Sequence, residues 1–472
     1  MLPLIPILLV MTVLAANADV LITFGSGGTL SQGVVATLAV LPTGIVVGLA
    51  AYCMMLVDRA LGRGRTAALR LGHQMRTAAQ WVIVLNYVFS VLVLDWLGAV
   101  QSFVGHVPLL SELVVMVPPI LGFVILWWSW YPIERRLHET ALLHRLDRGL
   151  PIHLPPDRWP YVCTQLRVHI LLMLVPMLLI LAASDAIESM FSQMEGDPSL
   201  RSASAAICTA GAACMVFLVA PWMARLLLGL HPMPQGEVRQ DLEAVCQRHG
   251  VRVRDIMLWR TSGTMVNAAV MGMLPRLRYV LLTDALLEQL PRQQVLAVMA
   301  HEVGHVRCRH MPTLLASLIA TVLIAEAALY GLGVLAPGWF ASQEPASELA
   351  RLGIALVLIL LGFGWASRRI ERQADAFAVR DLSGQDPACT VVTDEAIETM
   401  TDSLEGIAAL HGVDPRRWSW RHGAIAWRCG YLRSLSGCSL AGLPIDRTIR
   451  WLQVGSGVVL LLGGILALGM IT

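Results

Sequence analysis

Apolar residues fall along this chain in runs of about 20, the length that crosses a bilayer as a helix. Nine such runs are Leu2–Phe24, Val34–Val57, Trp81–Val100, Leu113–Tyr131, Val168–Ala183, Ala203–Met223, Leu314–Leu335, Leu352–Trp365 and Trp451–Ile471. The fifth and eighth are short and need flanking residues to span. No basic residue precedes the first run, so it reads as an uncleaved span. The stretch Ala15-Ala16-Asn17-Ala18 does have the look of a signal cleavage site.

Two polar stretches interrupt the runs. In 232–311 the spacing predicts an amphipathic helix over Glu237–His249, with Val238, Leu242 and Val245 on one face. Strand candidates follow at Asp255–Arg260, Met265–Met271 and Arg278–Thr283, the last two separated by the Leu274-Pro275 turn. Asp284–Leu290 reads as helical. Pro291 suits the first turn of a helix expected to run through His310. The second polar stretch, 367–450, belongs to the same folded unit, split by a helical hairpin. The expected organisation is therefore 1–231, a membrane domain of about six helices; 232–311, the first polar part; 312–366, the hairpin; 367–450, the second polar part; and 451–472, a last spanning helix.

Composition supports a membrane protein. The chain has 472 residues, 56% hydrophobic and 14% charged, with a net charge of +2. Soluble domains carry about 25% charged residues. The near-neutral balance argues against a nucleic-acid partner. All 35 basic residues are Arg, which we read as codon bias. The nine Cys have no paired spacing and read as free thiols in a reducing compartment. Arg is concentrated after the second and fourth runs, at Arg59, Arg63, Arg65, Arg70 and Arg76, and at Arg135, Arg136, Arg145, Arg148, Arg158 and Arg167. The segment after the fifth run is acidic instead, with Asp185, Glu188, Glu195 and Asp197. Glu344 and Glu348 lie between the seventh and eighth. The positive-inside rule then places both polar stretches in the cytoplasm.

The chemistry sits at His301-Glu302-Val303-Gly304-His305. Imidazoles at i and i+4 share a helix face and can hold one tetrahedral Zn²⁺. Glu302, one residue round, is placed as a general base for water that the metal acidifies. A catalytic zinc takes three protein ligands and keeps one position open. Cys308 and Met311 stand where a metzincin extension would need Gly and His. His310 is one step off that register and reads as a helix-end or surface residue. Glu371 on a second helix fits as third ligand. Asp375, at i+4 from it, can accept the free N–H of a ligand His. Taken alone, Glu371 and Asp375 also suit a solvated helix face with Arg partners.

The order HEVGH then Ser367-Arg368-Arg369-Ile370-Glu371-Arg372-Gln373-Ala374-Asp375 resembles the M48 zinc metallopeptidases, which include HtpX heat-shock proteases and Ste24 CAAX-prenyl proteases. Val266-Asn267-Ala268, Gly272, Arg276, Leu281, Asp284 and Leu286-Leu287 resemble that family's segment before the HExxH helix. The resemblance covers Gln240 to Arg433. It implies a mainly α, polytopic membrane protein with a cytoplasmic α+β gluzincin-type metallopeptidase domain. His301, His305 and Glu371 are then the ligands of one Zn²⁺ per chain, Glu302 the base, and Asp375 the support of a ligand. Family members carry His-Pro and then Arg near the C-terminus; here the nearest match is His422-Gly423 with Arg428. These two are the candidates to stabilise an oxyanion, and a surface His among boundary Trp residues is the plainer reading of His422. An edge strand at Met265–Met271 would bind an extended peptide, with Asn267 and Ala268 at the cleft. Asn267 also suits a turn. Glu326, inside the seventh run, faces either a cavity or an ionic partner. The many extra helices look more like Ste24 than the compact HtpX.

The expected function is hydrolysis of peptide bonds in membrane or unfolded proteins at the cytoplasmic face. The partners are peptide or protein substrates and the bilayer. Substrate specificity and oligomeric state are not legible in the sequence. The alternative is a catalytically silent metal-binding scaffold, which would need the ligands but no Glu302. The Gly in place of the family's Pro is the feature in its favour.

Overall fold

A computed structural model describes residues 31–469, save 106–108, 148, 150, 196, 264, 337, 339–344 and 387. The expected span Leu2–Phe24 lies outside the described residues. The chain divides into two compact units, 1–230 and 231–472.

The first unit is helical. It comprises α1 (Gln32–Gly62), α2 (Ala68–Leu92), α3 (Trp96–Val104), α4 (Leu110–Asp147), α5 (Arg158–Leu166), α6 (Leu172–Ser192) and α7 (Pro198–Leu227). A five-residue π-helical stretch, Arg167–Leu171, joins α5 to α6. Buried Met54, Ile83, Met116, Leu126 and Trp130 form part of its core. The expected span Trp81–Val100 is not one helix. Only its last five residues fall in α3, which starts after Asp95 in the left-handed region (φ 53°) and is capped where Asp95 accepts the Gly98 N–H at 3.0 Å. The helix that spans instead begins at Ala68, thirteen residues earlier than the apolar run.

The second unit contains β1 (His231–Pro232), α8 (Glu237–Arg248), β2 (Asp255–Trp259), β3 (Ala268–Met271), β4 (Tyr279–Thr283), α9 (Asp284–Gln289) and α10 (Arg292–Arg307). These are followed by α11 (His310–Leu335), α12 (Pro345–Ser383), α13 (Asp394–Leu410), α14 (Ile425–Arg433) and α15 (Pro444–Gly469). The sheet order is β1-β2-β4-β3. β2 runs parallel to β4, and β3 pairs antiparallel with β4 through Val270↔Val280. β4 is buried throughout, which fits its Tyr-Val-Leu-Leu-Thr sequence. β3 is an edge strand. It ends at Gly272, whose φ of +105° suits glycine, and a Cβ there would lie 2.5 Å from the Leu277 carbonyl oxygen.

Among the described residues, eight helices are long and apolar enough to cross a membrane. α11, α12 and α15 pack together within the second unit. Three expected boundaries fall inside helices, the one at 311/312 lying two residues into α11. α12 runs without a break from the hairpin across 366/367 to Ser383, and α15 starts at Pro444, not at 451. The polar half of each helix lacks the apolar run that marks a span, yet keeps its helical register. The helix expected to continue through His310 ends at Arg307. Arg309 adopts φ 56°, and α11 starts afresh at His310. Glu326 lines a cavity of about 690 Å³ that Tyr330 and Arg351 also line.

Candidate metal centre

α10 carries His301, Glu302 and His305, and α12 carries Glu371 and Asp375. Gly304 lets these helices approach: a Cβ there would lie 3.0 Å from the Phe377 ring. His301 Nε2 and His305 Nε2 face each other at 3.2 Å, and Glu371 Oε2 is 3.8 Å from His301 Nε2. One ligand atom from each of His301, His305 and Glu371 lies within 4.8 Å of the others. Two imidazole nitrogens and a carboxylate oxygen converging this closely fit a tetrahedral zinc with an open position. This donor set, and not a solvated helix face, is what Glu371 belongs to: it is 8% exposed.

Asp375 is fully buried behind the ligands. His301 Nδ1 lies 2.9 Å from Asp375 Oδ1, close in distance but not aligned as a hydrogen bond. Arg428 grips the same carboxylate with two bonds, Nε to Oδ2 at 2.7 Å and Nη2 to Oδ1 at 2.6 Å. Its Nη1 is 3.5 Å from Glu371 Oε2. Arg428 thus differs from its expected role as an oxyanion donor. It is buried and its planar fork is committed to Asp375, so it fixes the carboxylate that backs His301. His422 is the exposed member: its side chain is 51% exposed, with Nδ1 3.0 Å from Glu371 Oε1.

His305 has its own support. Its Nδ1 lies 2.9 Å from Nδ1 of His310. His310 Nε2 is 2.9 Å from Gln373 Oε1, and Gln373 Nε2 donates to Asp446 Oδ1 at 2.7 Å. Of the two readings expected for it, helix end and surface, His310 takes the first: it opens α11 and is 1% exposed. The break at Arg309 turns it back toward His305. The spacing of His310 gave no sign of this, because a positive φ at a non-glycine residue leaves no pattern in the sequence. Asp446, 141 residues after His305 in the chain, was equally invisible.

Glu302 accepts a hydrogen bond from the Val270 N–H at 3.0 Å, which ties it to the open edge of β3. Asn267 exchanges main-chain and side-chain bonds with Thr283 on β4. By alternation the main-chain groups of Ala268 and Val270 point away from β4 to the open edge. The loop before β3 is held by Asp284, which accepts from Thr261 N and Oγ1 at 3.0 and 2.6 Å. His301, Glu302, His305, Glu371, Asn267, Ala268, His422 and Arg428 all line one cavity of about 480 Å³.

Burial pushes the Glu302 carboxyl up to about 7, and neighbouring Glu371 adds to the rise against the pull of His301 and the Val270 N–H. Burial works against charge on His301, but the facing Asp375, and then Glu302, outweigh it and hold its pKa above the usual imidazole value. Burial, followed by the neighbouring His301, keeps His305 well below that value. Burial likewise disfavours charge on Arg428, and Asp375 and Glu371 more than offset it. A neutral His305 beside a carboxyl that titrates near neutrality suits metal binding and proton transfer.

Residues 232–406 match the sequence profile of Peptidase family M48. A protease HtpX homolog from Aeropyrum pernix is 32% identical over 130 residues, 27% of this chain and 40% of the relative. A CAAX prenyl protease 1 homolog from Arabidopsis thaliana is 27% identical over 201 residues, 39% of this chain and 46% of the relative. A second HtpX homolog, from Methanocaldococcus jannaschii, is 28% identical over 139 residues, 28% of this chain and 46% of the relative. The matched stretch thus spans less than half the length of each of these curated relatives. Among solved structures, Ste24p of S. mikatae aligns over 86% of this chain and 99% of its own, at 14% identity and a TM-score of 0.45. The profile match begins at the first strand and takes in His301, Glu302, His305, Glu371 and Asp375, while His422, Arg428 and Asp446 lie beyond it. Between its apolar helices, this multi-pass chain carries an M48 peptidase domain of the type found in HtpX and CAAX prenyl proteases.

Proposed function

We propose that this protein is a zinc-dependent endopeptidase that hydrolyses membrane or unfolded proteins at the cytoplasmic face of the membrane. The observation that carries the reading is the convergence of His301, His305 and Glu371 beside Glu302. One zinc ion per chain would be held by those three residues. When bound, it supplies Lewis acidity to water and to a carbonyl oxygen.

The chain's own residues account for the rest. The open edge at Ala268 and Val270 aligns an extended peptide through main-chain hydrogen bonds. Asn267, exposed at the mouth, contacts that backbone. Glu302 takes a proton from the attacking water as its oxygen bonds the carbonyl carbon. It then delivers the proton to the leaving amine nitrogen as the C–N bond breaks. Arg428 and Asp375 hold His301 in orientation. His422, with Nδ1 3.0 Å from Glu371 Oε1, lines the cavity beside the ligands and is the candidate to stabilise the developing oxyanion.

The test compares the wild type with Glu302→Gln, purified in detergent, for bound zinc and for hydrolysis of casein. One zinc in both, with hydrolysis only by the wild type, is the expected result. Zinc in both and hydrolysis by neither would favour the silent scaffold. Absence of zinc from both would refute the ligand assignment.

A further inference from the structure

We propose that His310, Gln373 and Asp446 form a relay that fixes the tautomer of His305, keeping its Nε2 lone pair aimed at the metal position. The inference rests on the zinc reading above and assigns it three positioning residues. It follows from donor and acceptor rules alone.

The relay is anchored at Asp446. Three N–H groups face this carboxylate: Gln373 Nε2 at 2.7 Å, Arg380 Nη1 at 3.4 Å and the Leu443 main chain at 3.2 Å. A carboxylate only accepts. Gln373 must therefore turn its NH₂ to Asp446, because the flipped amide would set two acceptors against each other at 2.7 Å. Its Oε1 is then left to His310, which must carry its proton on Nε2 to donate across 2.9 Å. The remaining nitrogen of His310, Nδ1, is an acceptor. Across the next 2.9 Å, His305 must donate from its own Nδ1. A neutral imidazole has one N–H, so the lone pair of His305 is on Nε2, the nitrogen that faces His301. Each link has one allowed direction, and the last link sets the ligand.

The two histidine ligands are thus supported differently. Asp375 faces His301 directly. His305 reaches a carboxylate through two intervening side chains. Removing support of this kind costs about 10–100-fold in metal affinity.

Asp446→Asn reverses the relay without emptying it. The Arg380 and Leu443 N–H groups both lie on Oδ2 and require an oxygen there, so the new amide turns its NH₂ to Gln373. Gln373 must then flip, His310 must move its proton to Nδ1, and His305 is left with its N–H on Nε2, aimed at the metal position. His310→Asp short-circuits the relay, because Oδ1 of aspartate stands where Nδ1 of histidine stood and only accepts.

Zinc affinity would be measured by competition with a chromogenic chelator on the full-length protein in detergent. The proteins are wild type, His310→Phe, Asp446→Asn, His310→Asp and the double variant His310→Asp/Asp446→Asn. We expect His310→Phe and Asp446→Asn each to weaken zinc binding about 10–100-fold, and both variants carrying Asp at 310 to bind as tightly as wild type or tighter. If Asp446→Asn weakens binding equally in the His310→Asp background, Asp446 acts through packing and the relay is refuted. Wild-type affinity in His310→Phe would also refute it. Should His310→Phe fail to fold, the Asp446→Asn comparison in the two backgrounds decides alone. A wild type that binds no zinc would instead overturn the zinc reading itself.

Discussion

Glu302 acts as a base only without its proton, and burial raises its carboxyl to about 7. A raised acid pKa means that the active form is lost as pH falls. We expect kcat/KM for a peptide substrate to drop about tenfold per pH unit on an acid limb at or below pH 7, a cation at the ligands shifting the limb downward. A pH profile read against the zinc content at each pH separates this limb from metal loss. Arg428 gives a different kind of prediction. Its removal, as in Arg428→Met, leaves Asp375 buried without its cation and should cost about 3–5 kcal/mol of stability. A lowered Tm of the metal-free protein would show it, because the cost does not depend on zinc. Arg428→Lys should recover only part, lacking the two-pronged grip. At this scale the grouping of His301 with His305 was legible, because helical spacing at i and i+4 carries meaning without tertiary context. The partners of Arg428 were not, since a guanidinium in sequence says nothing of which carboxylate it grips.

Elements hold the site through two features. The Ala268 N–H points to the open edge of β3, and in the proposed reading it binds the substrate main chain. Proline lacks that donor and is tolerated on edge strands. Ala268→Pro should therefore raise KM several-fold while zinc content stays at one per chain, measured by peptide kinetics and metal analysis together. The second feature is the break between α10 and α11. The strands β2 and β4 were foreseen within a residue, because β-branched and apolar runs between turn signals identify buried strands. β3 proved shorter than expected, since Met265, Val266 and Asn267 belong to the loop that Thr261 and Asp284 shape. The breaks at Asp95 and Arg309 escaped notice for one reason: both residues adopt a left-handed backbone that tertiary contacts impose.

For the molecule as a whole, the proposed sidedness rests on the Arg-rich segments after the second and fourth runs and on the polar stretches 232–311 and 367–450. If the proposed orientation holds, cysteines introduced at Arg63→Cys and Arg416→Cys, in a background without native Cys, react with an impermeant maleimide only once the cytoplasmic face is opened. Labelling of the two from opposite faces would contradict it. Eight of the nine expected spans coincide with a long apolar helix among the described residues, the first lying outside them, whereas the helix ends were not legible, because polar turns continue several of them. α12 is the clearest instance. Trp365 closes its apolar run and Glu371 follows six residues later on the same unbroken helix, about 9 Å along the axis. His310 likewise opens α11. The hairpin and Glu371 are therefore one lever, while the histidine pair sits on α10, beyond the break at Arg309. A bilayer too thick or too thin for these helices tilts or shifts them, and that hydrophobic mismatch is transmitted to the spacing between Glu371 and the histidine pair. Zinc retention is then expected to change with lipid chain length, which metal analysis of the protein in bilayers of different thickness checks.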